Sequence, residues 1–169
     1  MEIITFIPFD IKNSTQYDVL YKMFADYFEE TFVNNPKDKV PIKFIPKVLQ
    51  MIADGTEKYK VWFYLCKKND DVIGFSLFQI DTPDNPMCKR NGWGFIREFY
   101  IISSQRRKGY ASQMCKFVEE KLWETCTYNI YLTSDPNNGI PFWEAMGYTY
   151  TGETDISNGN KIYEKRCEK

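Results

Sequence analysis

The run Arg106-Arg107-Lys108-Gly109-Tyr110-Ala111 sets three cations and a glycine at the head of a helical pattern, directly after a β-rich stretch that ends in Ser103-Ser104-Gln105. Residues of these types in this order make an anion trap. Successive backbone N–H groups converge on an oxyanion, the positive end of the helix dipole faces it, and the side chains add field. Gly109 lets the backbone approach a ligand, and the small Ala111 lets the helix lie close to a sheet. On the residues alone, the run is either the seat of a phosphate-bearing ligand or a surface turn with solvated charges. Glu98, a few residues upstream on the same strand, is the second candidate. A carboxylate there can take a proton from an ammonium or attract a cation, or it can simply pair with Arg97 or a lysine.

Composition narrows the chemistry. The chain has no histidine, which excludes His-dependent triads, HExxH zinc sites and His proton shuttles, and no metal is expected. The five cysteines are an odd set without close pairing and read as reduced thiols. Cys115 lies on an apolar helix face with no histidine to activate it, so it reads as a structural thiol. Neither G-x-x-x-x-G-K-[ST] nor G-x-G-x-x-G occurs, which argues against an ATP or dinucleotide site. With 22 Lys and Arg against 23 Asp and Glu, nothing calls for nucleic acid or a membrane surface as partner. The N-terminus lacks a basic segment followed by an apolar one, so a cytoplasmic protein is expected. The 169 residues, 43% of them hydrophobic, suit one domain spanning 1–169. The 17% aromatic content reads mostly as core. It is compatible with a homodimer, which no feature of the sequence fixes.

The elements that must position these candidates follow from apolar spacing. Ile3 to Ile7 suits a strand. Asn13 and Ser14 are N-cap candidates ahead of Val19, Leu20, Met23, Phe24, Tyr27 and Phe28, an amphipathic helix that stops near Asn34-Asn35-Pro36. Phe44, Ile45, Val48, Leu49 and Ile52 outline a second helix ending at Gly55. Lys60 to Cys66 and Val72 to Ile80 form a hairpin across Lys68-Asn69-Asp70-Asp71, and Trp93 to Ile102 a further strand with Phe95, Phe99 and Ile101 at odd positions. Ala111 to Leu122 is a helix, Asn129 to Thr133 a strand, Ile140 to Met146 a short helix, and Tyr148 to Thr151 with Lys161 to Lys165 a terminal strand pair.

Arg106 to Ala111, read as R-x-x-G-x-A after a strand, resembles the acetyl-CoA loop of the GNAT superfamily of N-acyltransferases. Ile96-Arg97-Glu98-Phe99-Tyr100-Ile101 is similar to that family's fourth strand. Asn137 to Tyr148, with Pro141-Phe142-Trp143-Glu144 inside it, is similar to its late helix and turn. Together these cover roughly the C-terminal half of the chain. The resemblance implies an α/β fold of the mixed α+β kind. Its centre is a mostly antiparallel sheet of about seven strands, splayed at the fourth and fifth and flanked by about four helices. It implies that the backbone of Phe99, Tyr100 and Ile101 pairs with the pantetheine arm of acetyl-CoA. The pyrophosphate then sits at Arg106, Arg107, Lys108, Gly109, Tyr110 and Ala111, with Ser112 as a hydroxyl donor. Asn138 and Phe142 are candidates for the pantetheine or adenine side, with a helix cap and a core ring as their structural alternatives.

The activity implied is direct transfer of an acetyl or other acyl group from acyl-CoA to a primary amine within a ternary complex. Glu98 is then the base, and the N–H of Tyr100 or Ile101 the group that polarises the thioester carbonyl. Many members carry a tyrosine in the late helix where this chain has Trp143, which cannot donate the proton. Tyr148 or another tyrosine substitutes, or the thiolate leaves unassisted. The acceptor is not legible. Asp26, Glu29 and Glu30 could draw an amine or form a solvated face, and Trp62, Tyr64, Trp93 and Tyr100 could wall a cleft. The alternative is a non-catalytic module of the same fold that holds acyl-CoA as a sensor or scaffold.

Overall fold

The computed structural model describes residues 2–137 and 139–167. After β1 (Ile4–Pro8), Asn13 caps α1 (Ser14–Thr31) by accepting the Gln16 N–H at 3.1 Å. Leu20, Met23, Phe24 and Phe28, three and four residues apart, form the buried stripe of α1. The helix ends a few residues before the predicted stop, and single turns at Pro36–Asp38 and Ile42–Phe44 lead into α2 (Ile45–Lys58). Then come β2 (Val61–Lys68), β3 (Asp71–Ile80) and β4 (Gly94–Ile101), a turn at Ser103–Gln105, and α3 (Tyr110–Glu124). The chain closes with β5 (Asn129–Ser134), α4 (Ile140–Ala145), β6 (Thr149–Thr154) and β7 (Lys161–Arg166).

The seven strands form one sheet in the order β1-β2-β3-β4-β5-β7-β6, antiparallel throughout except for the parallel pair β4 and β5. Helices α1 and α2 cover one face, where Leu20, Phe24, Phe28 and Leu49 pack on Phe63, Phe75, Leu77 and Tyr100. On the other face Val118, Leu122 and Trp143 of α3 and α4 pack on Phe78, Ile96 and Leu132. Phe24 is 1% exposed and stacks on Phe75 at 4.7 Å, so truncation to alanine there costs about 3–5 kcal/mol. No helix among the described residues is long and apolar enough to cross a membrane.

Two irregularities in β4 make the site. First, β5 pairs only with Gly94, Phe95 and Ile96, so the two strands part beyond Ile96 and leave a notch. Second, Ile96 pairs with Phe78 and Glu98 with Leu77, which leaves Arg97 as an extra residue in a β-bulge. A bulge reverses the alternation of faces. Phe95 lies opposite Gln79 and Phe99 opposite Ser76, residues of opposite parity on β3, so Phe95 and Phe99 lie on opposite faces of the sheet. Their shared odd numbering predicts one face instead. The reversal turns Glu98 and Tyr100 toward α1, and Phe99 and Ile101 toward α3 and α4.

Candidate active site

The loop from Ser103 to Gly109 joins the free end of β4 to α3. Arg107 has φ 63° and Gly109 φ 83°, left-handed conformations of the kind that form anion-binding concavities from successive amides. A Cβ built on Gly109 meets nothing within 4 Å, so glycine is required there by its backbone angle and not by crowding. Gly109 offers α3 no side-chain cap. Among the described residues, no acceptor meets the backbone N–H groups from Arg107 to Ser112. At the start of a 15-residue helix, that row of donors is suited to an anion.

The three cations of the loop are not equivalent. Arg106 turns back onto the protein: its Nε donates to the Ile101 carbonyl at 2.8 Å, its guanidinium pairs with Glu30 of α1, and it lies 5.3 Å over the Tyr100 ring. Tyr100 donates to the same Glu30 at 2.8 Å. Lys108 donates to the Ser104 carbonyl and to Gln105 Oε1, at 3.1 and 3.2 Å. Arg107 is exposed and has no ion pair or side-chain hydrogen bond among the described residues. Tyr110 packs its ring into the core beside Met114 and gives its hydroxyl to Glu2. Ala111 packs against that same cluster, and Ser112 stays partly exposed. Of the residues expected to face a pyrophosphate, the side chains of Arg106 and Tyr110 are thus spent within the fold. Their backbone, with that of the rest of the run, still lines the loop.

Phe99 stands in the notch on the α3 side, 5.6 Å from the Phe142 ring and 4.9 Å from Trp143. Tyr100 and Ile101 continue the strand with no partner on the β5 side among the described residues. Asn138 lies outside the described residues.

On the α1 side Glu98 is partly buried and accepts a hydrogen bond from the Tyr27 hydroxyl. Burial pushes its carboxyl above the ordinary carboxylate range, against the opposing pull of Tyr27 and Arg97. Burial and the neighbouring Glu98 likewise hold the Tyr27 phenol well above its usual value. Arg97 reaches Gln79 at 3.2 Å. Gln79 in turn donates to Asp81 at 2.6 Å, and Asp81 also accepts from Tyr131 and from the N–H groups of Lys89 and Arg90. Lys89 pairs with Asp155, which ties the loop between β3 and β4 to the turn between β6 and β7.

Tyr148 is kept apart from Glu98, on the other face of the sheet. It is 1% exposed and donates to Glu119 at 3.0 Å, where Lys165 completes a buried pair at 2.9 Å. Burial raises this phenol far above its usual value, and the proton it holds is committed to Glu119. The expected role of proton donor in the notch does not fit that placement. Cys115 is also buried there, its thiol pushed up by burial and 3.6 Å from Glu119, as a structural thiol should be.

Sequence reasoning missed Tyr27 and the Asp81 network. Tyr27 falls on the apolar stripe of α1 and reads as one more core ring. The bond to Glu98 spans 71 residues, and no local pattern signals it.

The model of the acetyltransferase (GNAT) family matches residues 17–148 of this chain. No curated protein sequence matches it. Among solved structures, the PaiA N-acetyltransferase of Thermoplasma acidophilum, in complex with coenzyme A, superposes with a TM-score of 0.75 at 14% identity, covering 97% of this chain and 99% of that one. An acetyltransferase from Thermus thermophilus gives 0.73 at 13% identity, covering 98% and 99%. A transcriptional regulator from Bacillus halodurans gives 0.68 at 12% identity, covering 90% and 97%. At these identities the likeness is one of fold.

Proposed function

This chain belongs to the acetyltransferase (GNAT) family, and from that premise we propose that it transfers an acetyl or other acyl group from acyl-CoA to a primary amine in a ternary complex. The observation that carries the reading is a juxtaposition at one end of β4. A strand edge free beyond Ile96 among the described residues, a partly buried carboxylate on that same stretch, and a row of free N–H groups entering α3 follow one another along the chain. A relative of the same fold was crystallised with coenzyme A, which supports acyl-CoA as the donor.

Acyl-CoA supplies the activated acyl group and a thiolate that leaves when an amine attacks. The backbone of Phe99, Tyr100 and Ile101 offers an edge for the pantetheine arm, with Phe142 packing beside Phe99. The N–H groups from Arg107 to Ser112 and the unpaired Arg107 side chain hold the pyrophosphate. Arg106 acts indirectly, by fixing the loop to α1 through Glu30. Glu98, on the α1 face, takes the proton of the incoming ammonium, directly or through water. No protein acid is needed for the sulfur, because a thiol is an acidic enough leaving group.

The second reading, a module that binds acyl-CoA without transfer, is favoured if departure of the thiolate does need an acid, because the Trp143 indole N–H is not acidic and the Tyr148 hydroxyl is bound to Glu119. Calorimetry with acetyl-CoA, then thiol release across a panel of primary amines, separates the two. Transfer to any amine, lost in Glu98→Gln, supports the enzyme. Binding with no thiol release supports the module. No CoA binding sinks both, and binding unchanged in the double variant Arg107→Glu, Gly109→Asp overturns the placement of the pyrophosphate at the loop.

A further inference from the structure

Among the described residues, the Glu98 carboxylate takes one side-chain hydrogen bond, from Tyr27. Arg97, next to it on the bulge, is turned to Gln79. The Tyr27 ring is itself caged: Phe24 lies 6.0 Å away, Phe75 5.5 Å and Tyr100 5.2 Å, all on the α1 face. Tyr100 cannot take its place, because its own hydroxyl is given to Glu30. The rings fix where the Tyr27 oxygen stands, and the oxygen fixes one carboxylate oxygen of Glu98. The other charged groups that bear on the pair are Arg97 from β4 and Asp135, just past the end of β5.

Building on the reading of Glu98 as base, we infer that Tyr27 is a positioning residue, whose hydroxyl aims the Glu98 carboxylate and stabilises the ionised form that takes the acceptor's proton. The chemistry supports this division of labour. A phenol donating to a carboxylate favours the charged state, opposing the burial that disfavours it. It also leaves the second carboxylate oxygen free to accept. The bond thus serves proton transfer as well as tying α1 to β4, and the two roles are separable by experiment.

Protein labelled with 13C at the glutamate carboxyl is titrated by NMR, the Glu98 signal being assigned by its loss in Glu98→Gln. In Tyr27→Phe the ring cage is kept and the donor removed, so the Glu98 titration moves to higher pH. With acetyl-CoA and the amine found by thiol release, the acid limb of kcat/KM moves up with it. At its plateau kcat falls about tenfold while the Kd for acetyl-CoA stays within about twofold. Incorporation of 3-fluorotyrosine, whose phenol is a stronger donor, moves the titration the opposite way and covers the case in which Tyr27→Phe fails to fold. A Glu98 titration unmoved by either change overturns the inference and leaves Tyr27 a structural tie. Full transfer activity in Glu98→Gln removes the base reading instead, whatever the titration of Tyr27→Phe shows.

Discussion

The two sides of β4 are built from different materials. Toward α3 the site is backbone: a strand edge, two left-handed residues and a row of amides, with Arg107 solvated and unpaired among the described residues. Toward α1 it is side chain: Tyr27 bonds Glu98, Tyr100 bonds the exposed Glu30, and Arg97 bonds Gln79, the other five being partly or wholly buried. Backbone donors recognise a class of ligand, the phosphate anion, without regard to what else it carries. Buried side-chain pairs hold protons and shapes, and they tolerate little change because each lost partner strands the other. The first side should therefore govern binding of the donor, and the second the chemistry and the choice of amine.

The sharpest way to break that division is Glu98→Gln. Transfer should fall about 100- to 10,000-fold while calorimetry finds acetyl-CoA bound as before. A parallel loss of binding would show that the sides are not independent. The pH signs follow from the raised carboxyl. Glu98 must be ionised to accept a proton, so the rate falls as pH drops through a value above the ordinary carboxylate range. Stability runs the other way: a group whose folded value is raised favours the fold below its unfolded value and loses that contribution as pH rises through the folded one. Thermal melts should therefore find Glu98→Gln more stable than the parent at neutral pH and above, with the advantage gone in acid.

The converse test is Arg107→Glu with Gly109→Asp. It reverses a solvated charge and forces a side chain onto φ 83°, so acetyl-CoA affinity should fall at least about tenfold by calorimetry. The Tyr27 and Glu98 pair should be untouched, and the NMR titration of Glu98 in the free protein checks that.

What could be read from the sequence divides along the same line. Arg106 to Ser112 is contiguous, and glycine and cations ahead of an apolar stripe have a local meaning, so the loop and its unpaired backbone donors were legible. So were all seven strands and four helices, to within a few residues, because apolar spacing encodes each one. The α1 side was not. Tyr27 and Glu98 meet only after the sheet forms, and the bulge at Arg97, which decides that Glu98 faces α1, leaves no mark in the alternation of β4. Arg106 shows the limit within the legible half: its position in the loop was plain, but its bond to Glu30, 76 residues away, was not.

That bond gives a smaller prediction. Glu30→Ala releases Arg106 and Tyr100 together, so the loop loses its tie to α1 while its amides remain. Acetyl-CoA affinity should weaken about two- to fivefold, the scale of a partly exposed ion pair and not of a lost phosphate contact. A loss as large as that of the Arg107 variant would mean that the tie, and not the backbone row, shapes the site.

The smallest effect on transfer is expected at Tyr148, the tyrosine named from the sequence as a substitute donor for the thiolate. Tyr148→Phe removes a hydroxyl that donates to Glu119, and Lys165 still holds that carboxylate at 2.9 and 3.1 Å. The loss is one buried hydrogen bond, about 1 kcal/mol, seen as a fall of a few degrees in Tm. Thiol release should stay within about twofold of the parent, since a lost general acid would instead cost on the order of 100-fold. The two outcomes are far enough apart for a single rate measurement to decide whether Tyr148 is the proton donor for the thiolate.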